Sequence, residues 1–315
     1  MASISSYGEV KEATFLARVV DESGCPVPNV TTSASYLRDK SLGSGAGTET
    51  HQRIVDQTDT NGTCAFAGKC NGYVDWSARK DGYYQTYGPQ VTFTNETFNQ
   101  FVPQGKLYEV VLRKIINPIP MYAKRLQNAV MPAYGILLGY DLVKGDWLSP
   151  YGKGETADFI FRVDCQYGEK LKDGVPAFEA MLTLTFSNDG DGIQEIIDSP
   201  LKGSVFHLPR YAPEDGYANS WSLRAFESER KCSPMAREDM NYIFRVRTKK
   251  DEAGKIISAL YGKIRGPIRY GVPVSGAKMS MKYYLNPNSN DRNLEFDPNQ
   301  NLFKNLSPFE KVSEP

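Results

Sequence analysis

Thr14-Phe15-Leu16-Ala17-Arg18-Val19-Val20-Asp21-Glu22-Ser23-Gly24-Cys25-Pro26-Val27-Pro28-Asn29-Val30 is the stretch on which the reading of this chain turns. Phe15, Ala17 and Val19 alternate with Leu16, Arg18 and Val20, the two-residue period of a strand with one buried face. Ser23-Gly24 then supplies a turn. The two prolines around Val27 lead into a second β-prone run, Thr31 to Leu37. Outward from there, Ser41 to Thr50 is rich in Gly, Ser and Thr and has too little apolar surface to pack, so it reads as a loop. Thr58-Asp59-Thr60-Asn61-Gly62 reads as a hairpin turn, because Asn-Gly readily takes positive φ. Strands are expected over Cys64 to Ala67, Val74 to Arg79 and Leu107 to Arg113, with a turn at Asp81-Gly82-Tyr83-Tyr84.

These landmarks, in this order, resemble the carboxypeptidase regulatory-like domain. In that family a strand ending in Asp and Gly precedes a Pro-containing segment, a Thr-Asp-x-x-Gly hairpin and a Gly-Tyr turn. The resemblance covers roughly residues 12 to 115 and implies a small prealbumin-like β-sandwich that serves as a spacer or docking module and carries no catalytic residues. The related Cna protein B-type domains form a Lys to Asn isopeptide bond. Here the first strand offers Arg18 and the last, Leu107 to Arg113, has no Asn, so that bond is not expected. In the resembling fold Cys25 lies close to the strands bearing Cys64 and Cys70, which leaves Cys64 with Cys70, Cys64 with Cys25, and reduced thiols all open.

The rest of the chain continues in β character. Residues 116–156 are punctuated by Pro118, Pro120, Pro132 and Pro150 and rich in Tyr, and they read as an ordered aromatic linker packing on the following domain. From 157 onward, Phe159 to Cys165, Phe178 to Phe186, Tyr242 to Thr248, Ile256 to Ile264 and Lys278 to Tyr284 are expected strands, with a polar hairpin loop at Lys249 to Lys255. Pro234 to Met240 reads as a short helix capped by Ser233. The expected architecture is all-β: a sandwich over 1–115, the linker over 116–156, and a larger antiparallel sandwich-like domain over 157–315.

Composition bounds the function. With 315 residues, 40% of them hydrophobic and 23% charged, the chain has the make-up of an ordinary globular protein of two domains. Lys plus Arg equals Asp plus Glu at 37 each, so no global field favours nucleic acid. No run of about 18 apolar residues is present to span a bilayer as a helix. The first residues lack the basic and apolar regions of a secretory signal, which fits a cytoplasmic protein, or an extracellular or cell-envelope one whose signal has been removed.

Candidate chemistry is sparse. His51 and His207 are the two histidines; His207 with Asp198 or Asp215 would be the nearest approach to a triad, and no Gly-x-Ser-x-Gly elbow accompanies it. Asn188, Asp189 and Asp191 concentrate oxygen ligands in a turn where calcium would be the cofactor, although the position of the twelfth EF-hand ligand is Ser199. A plain hairpin turn is the competing reading. Trp147, Tyr211, Tyr217 and Trp221 lie in polar, loop-like segments, where aromatic rings could stack on sugar faces or simply cover apolar surface. Three functions follow: a non-catalytic module binding a glycan or a protein partner, a carbohydrate-active hydrolase using a pair among Glu179, Glu195, Asp198, Glu227 and Glu229, and a structural assembly subunit. A homo-oligomer is compatible with each.

Overall fold

The computed structural model describes residues 11–41, 48–93, 95–96, 100–102, 104–172, 174–197, 201, 203–229, 231–233 and 237–315. Among them are 21 strands and one 3-10 turn, Pro298–Gln300, so the protein is all-β. No helix among the described residues is long and apolar enough to cross a membrane. The chain forms two compact units, Met1–Ile116 with Pro200–His207, and Asn117–Ser199 with Leu208–Pro315.

In the first unit, strand Lys11–Val20 is flanked by Lys106–Val111, parallel, and Thr63–Cys70, antiparallel. A second sheet orders Thr48–Gln57, Thr31–Ser41, Tyr73–Arg79 and Thr86–Tyr87, with Val91–Thr92 also on Tyr73–Arg79. The alternation read from sequence is the burial pattern observed: Ala13, Phe15, Ala17 and Val19 are buried, whereas Glu12 and Leu16 face outward. They meet Ala34 and Tyr36 of the opposing sheet, so the two sheets form a sandwich. Phe15 stacks on Phe66 at 5.1 Å and lies 6.0 Å from Trp76, aromatic contacts that add to area burial. Residues 203–206 also belong here: Tyr87 N donates to Gly203 O, and Phe206 packs on Tyr84 and under the Arg113 guanidinium.

In the second unit a six-stranded sheet orders Tyr122–Val130, Lys278–Leu285, Ile256–Ile264, Asn241–Lys250 and Gly192–Ile196, with Arg269–Gly271 also on Lys278–Leu285. A five-stranded sheet orders Asp146–Trp147, Leu138–Asp141, Phe159–Lys170, Pro176–Thr185 and Ser220–Glu227. Every pairing is antiparallel. Phe159, Phe161, Leu182 and Leu184 from one sheet meet Phe244, Val246, Met281 and Tyr283 from the other in a shared core. Phe159 and Phe244 touch edge to face at 4.9 Å. Residues 116–156, read from sequence as a linker, hold three of these strands: Tyr122–Val130, Leu138–Asp141 and Asp146–Trp147.

Three local expectations are revised. The Asn61-Gly62 turn is built on Asp59, whose Oδ1 accepts from Asn61 N and Thr63 N at 2.9 Å each, and only Gly62 has positive φ, 70°. Arg237 to Met240 is a turn and not helical, while 234–236 lie outside the described residues. The loop read over Ser41 to Thr50 narrows, since Ser41 and Thr48 are strand ends and 42–47 lie outside the described residues. All five cysteines are free thiols.

A Cβ on Gly62 would come within 2.5 Å of Val19 O, in a backbone conformation that side chains resist. Gly62→Ala is therefore expected to destabilise the first unit by about 1–3 kcal/mol, read as a lowered urea midpoint with an unchanged slope. An unchanged midpoint would show that this turn is not strained by a side chain.

Candidate functional site: a cation-lined cleft

The aromatic residues singled out from sequence do not form a common surface. Trp147 is 8% exposed and sits in the core with its ring edge-on to Tyr140 and Phe161, because its two-residue strand pairs with Leu138–Asp141 and turns the ring inward. Trp221 is half-buried against Tyr242, and its indole Nε1 donates to Glu195 Oε1 at 2.7 Å. Tyr217 packs near Tyr261 beneath the Arg245 guanidinium, 4.6 Å from its ring, and its hydroxyl donates to Pro213 O. Tyr211 alone of the four is openly exposed, at 55%.

The two carboxylates of the Asn188 to Asp191 turn meet protein donors. Asp191 accepts from Thr248 N at 2.8 Å, Arg247 N at 3.2 Å and Asn188 Nδ2 at 2.8 Å, while Asp189 pairs with Lys250 Nζ at 2.6 Å. Its geometry is that of a brace on the bulged strand Asn241–Lys250, where Arg247 adopts φ 56° and bridges Asp158 and Asp141. Among the described residues no three His, Cys, Asp or Glu side chains are grouped to hold a metal ion. Of the carboxylates considered for hydrolysis, Glu179 pairs with Arg224 and Glu195 accepts from Trp221; Asp198 lies outside the described residues. His207 falls in the first unit and Asp215 in the second, while nothing is described of the His51 side chain.

A different site emerges on the second unit. A cleft of about 450 Å³ is lined by Arg125, Gln127 and Asn128 from one strand, by Arg265 and Arg269 either side of Gly266-Pro267, and by Ser280, Lys282 and the acidic Glu238. That volume is within the range of small-molecule sites.

The backbone explains how the cations converge. Arg125 and Lys282 face each other directly across the ladder. Arg125 N donates outward to Glu310 O, and Lys282 O accepts from Arg265 N on its other side. The pair is thus the non-hydrogen-bonded kind, in which side chains approach most closely. Like charges at such a position repel, by about 1–4 kcal/mol for two unit charges 4–5 Å apart between bulk-water and near-surface dielectric. Beyond this pair the ladder slips between Leu126 and Ala129. Asn128 takes φ 50° there and donates its N–H to Ser280 Oγ at 2.9 Å, which turns Gln127 and Asn128 out to solvent. Gly266, at φ 82° and held by Asn241 Oδ1, swings the chain so that Arg265 and Arg269 both reach the cleft.

Two carboxylates partly neutralise this set. Glu238 receives Arg269 Nη2 on both its oxygens. Glu314 Oε1 accepts from Lys282 Nζ at 2.8 Å and lies 3.8 Å from Arg125 Nη2. Burial lowers the Lys282 pKa, and the neighbouring Arg265 and Arg125 push it further down against the pull of Glu314. Burial raises the Glu314 carboxyl, but Lys282, aided by a backbone hydrogen bond and the Arg265 charge, leaves the pKa below the ordinary value. Arg265 Nη1, Tyr284 Oη and Glu314 Oε2 are all closed off from solvent. Arg265 and Glu314 both act on Tyr284 through their charge, and Arg265 also through a side-chain hydrogen bond, so the three groups form one cluster.

Whole-chain neutrality hid this site. The local signal was there, since residues 256–285 carry Lys263, Arg265, Arg269, Lys278 and Lys282 and no Asp or Glu. What sequence does not show is the register that sets Arg125 against Lys282.

Comparison with known proteins adds little to this geometry. No family model matches the chain, and no curated protein matches it. Among solved structures it is similar to 3-chlorocatechol 1,2-dioxygenase from Rhodococcus opacus 1CP, with 16% identity over 35% of this chain and 62% of that chain and a TM-score of 0.26. It is also similar to a putative membrane-associated protein of unknown function from Bacteroides fragilis NCTC 9343, with 10% identity over 89% of this chain and 99% of that chain and a TM-score of 0.19. Likenesses this low carry no inference about either unit.

Because the folded pKa of Glu314 is depressed, its contribution is present above the unfolded value and lost as pH falls through the folded one. Wild type is therefore expected to lose its stability advantage over Glu314→Gln as pH drops below about 4, measured as converging melting temperatures. A constant difference across that range would place Glu314 outside the charge cluster.

Proposed function

We propose that this chain is a binding module and that it captures a negatively charged partner in the cation-lined cleft of its second unit. The observation that carries this reading is the pairing of Arg125 directly with Lys282, beside Arg265, at the cost of mutual repulsion. Glu314 offsets part of that repulsion, and with Arg265 and Arg269 alongside, the set keeps a cationic excess that a ligand anion would turn into attractive contacts.

The lining supports the same reading. Arg125, Arg265, Arg269 and Lys282 supply charge and directional donors, and the amides of Gln127 and Asn128 supply neutral hydrogen bonds. These are groups that hold a ligand in place. The likeness of residues 12–115 to carboxypeptidase regulatory-like domains, which act as spacers or docking modules, agrees with a non-catalytic role and with an extracellular or cell-envelope setting.

The test is titration of the full chain with a heparin-derived oligosaccharide as a general polyanion and with maltohexaose as a neutral control. Binding of the polyanion alone is expected, weakening as salt is raised, because exposed charges are screened beyond a Debye length of about 10 Å at 0.1 M. The Arg125→Ala/Arg269→Ala double variant is expected to bind at least about tenfold more weakly, since hydrogen bonds to charged groups contribute about 1.5–3 kcal/mol each. Equal binding by wild type and variant, or binding of maltohexaose alone, contradicts the proposal.

A further inference from the structure

Resting on the reading of the cleft as an anion site, we infer that its partner is the surface of an anionic lipid bilayer, with headgroups on Arg125 and Arg269 and the apolar loop tips beside the cleft set into the acyl boundary. Three observations lead there.

The first is the contrast between the two ends of the second unit. At one end the turns 188–191, 251–255 and 287–291 carry no large apolar side chain. They are tied together there, Asp189 to Lys250 and Ser258 to Ser289. At the other end the connections 131–137 and 272–277 meet the hairpin of Phe159–Lys170 and Pro176–Thr185: the Tyr134 hydroxyl donates to Pro273 O at 3.1 Å, and the Tyr167 hydroxyl to Val272 O at 2.9 Å. Val130, Val175 and Val274 stand here at 60%, 46% and 71% exposed, and Ile136 and Leu137 are exposed on the connection that carries Tyr134. Single exposed apolar residues are ordinary, but a gathering of them marks an interaction surface.

The second is that the backbone holds these tips out. Val274 sits at the corner of a turn closed by Gly276 N on Pro273 O at 2.9 Å, and Val175 O accepts from Leu171 N at 2.7 Å. Valine has a single, stiff side-chain torsion. Docking therefore orders little that is not already ordered, which lowers its cost.

The third is continuity with the cleft. Val130 pairs with the exposed Lys278, two residues beyond Asn128 and Ser280 of the cleft lining. Two strand residues span about 7 Å. The headgroup layer on each side of a bilayer is about 5–8 Å thick. With the strands end-on to the bilayer, Val130 at the acyl boundary sets the near end of the cleft at the level of the headgroups. The cationic excess of the cleft and Lys278 then face anionic lipid, while Asp189, Asp191, Asp251 and Glu252 at the far end face water. Apolar tips and cations one headgroup layer apart match a charged bilayer surface better than a soluble polyanion, which offers nothing to the valines.

The experiment is sedimentation of the full chain with vesicles of phosphatidylcholine alone and of phosphatidylcholine mixed with phosphatidylserine, alongside titration with the heparin-derived oligosaccharide. Wild type is expected to sediment with the mixed vesicles and not with the neutral ones. Val175→Ser/Val274→Ser, at two exposed positions, should weaken vesicle binding at least about tenfold and leave heparin binding unchanged. Arg125→Ala/Arg269→Ala should weaken both. Unchanged vesicle binding by the valine variant, equal binding to the two kinds of vesicle, or heparin binding with no vesicle binding overturns the membrane inference while the cleft remains an anion site. A wild-type dimer that ignores vesicles and that the valine variant turns into a monomer also overturns it, by assigning the apolar end to a second copy of the chain. If neither the vesicles nor the heparin-derived probe binds, the cleft reading falls as well.

Discussion

Each sheet in this protein has one face that must leave water, and the burial of that face against a second sheet is the constraint on which everything else depends. In the first unit it brings Phe15 and Phe66 against Trp76; in the second it brings Phe159 against Phe244. Alternation follows from it, because a strand half buried and half wet can place apolar residues only at every second position. The loops and edges are then free to carry polar chemistry, since they contribute little to either core.

The cleft exploits that freedom. It is built where the Tyr122–Val130 strand bulges and where Gly266-Pro267 redirects the chain, two irregularities that the core of the second unit can tolerate because they lie at its margin. Regular pairing would have carried Gln127 and Asn128 along the ladder. The bulge instead turns them outward beside Arg125. The C-terminal segment completes the arrangement by delivering Glu314 to Lys282, so the cations are held apart from one another by a carboxylate that satisfies only part of their capacity.

Much of the fold was legible in the sequence, and for a physical reason. Ala13, Phe15, Ala17 and Val19 alternate because one sheet face is buried, and Phe159 to Cys165 and Tyr242 to Thr248 show their strands through aromatic and β-branched content. Tyr122–Val130 was passed over because its pattern carries Lys124, Arg125, Gln127 and Asn128 and is broken by the bulge. Ser220–Glu227, an edge strand, was missed for a similar reason, as its outer residues are free to be polar. Trp147 was read as a loop aromatic and is a core residue, since a two-residue strand leaves no periodicity to read. The site itself was not legible, because it is a product of register and of chain reversal, bringing together residues 125, 265, 269, 282 and 314.

The most direct test of the central claim is a crystal structure of the full chain grown in malonate, a small carboxylate too simple to impose its own shape on the cleft. The account predicts a malonate carboxylate in the cleft within hydrogen-bonding distance of Arg125 or Arg269. Clear density for a cleft that holds only ordered water, with no anion on Arg125 or Arg269, would contradict it.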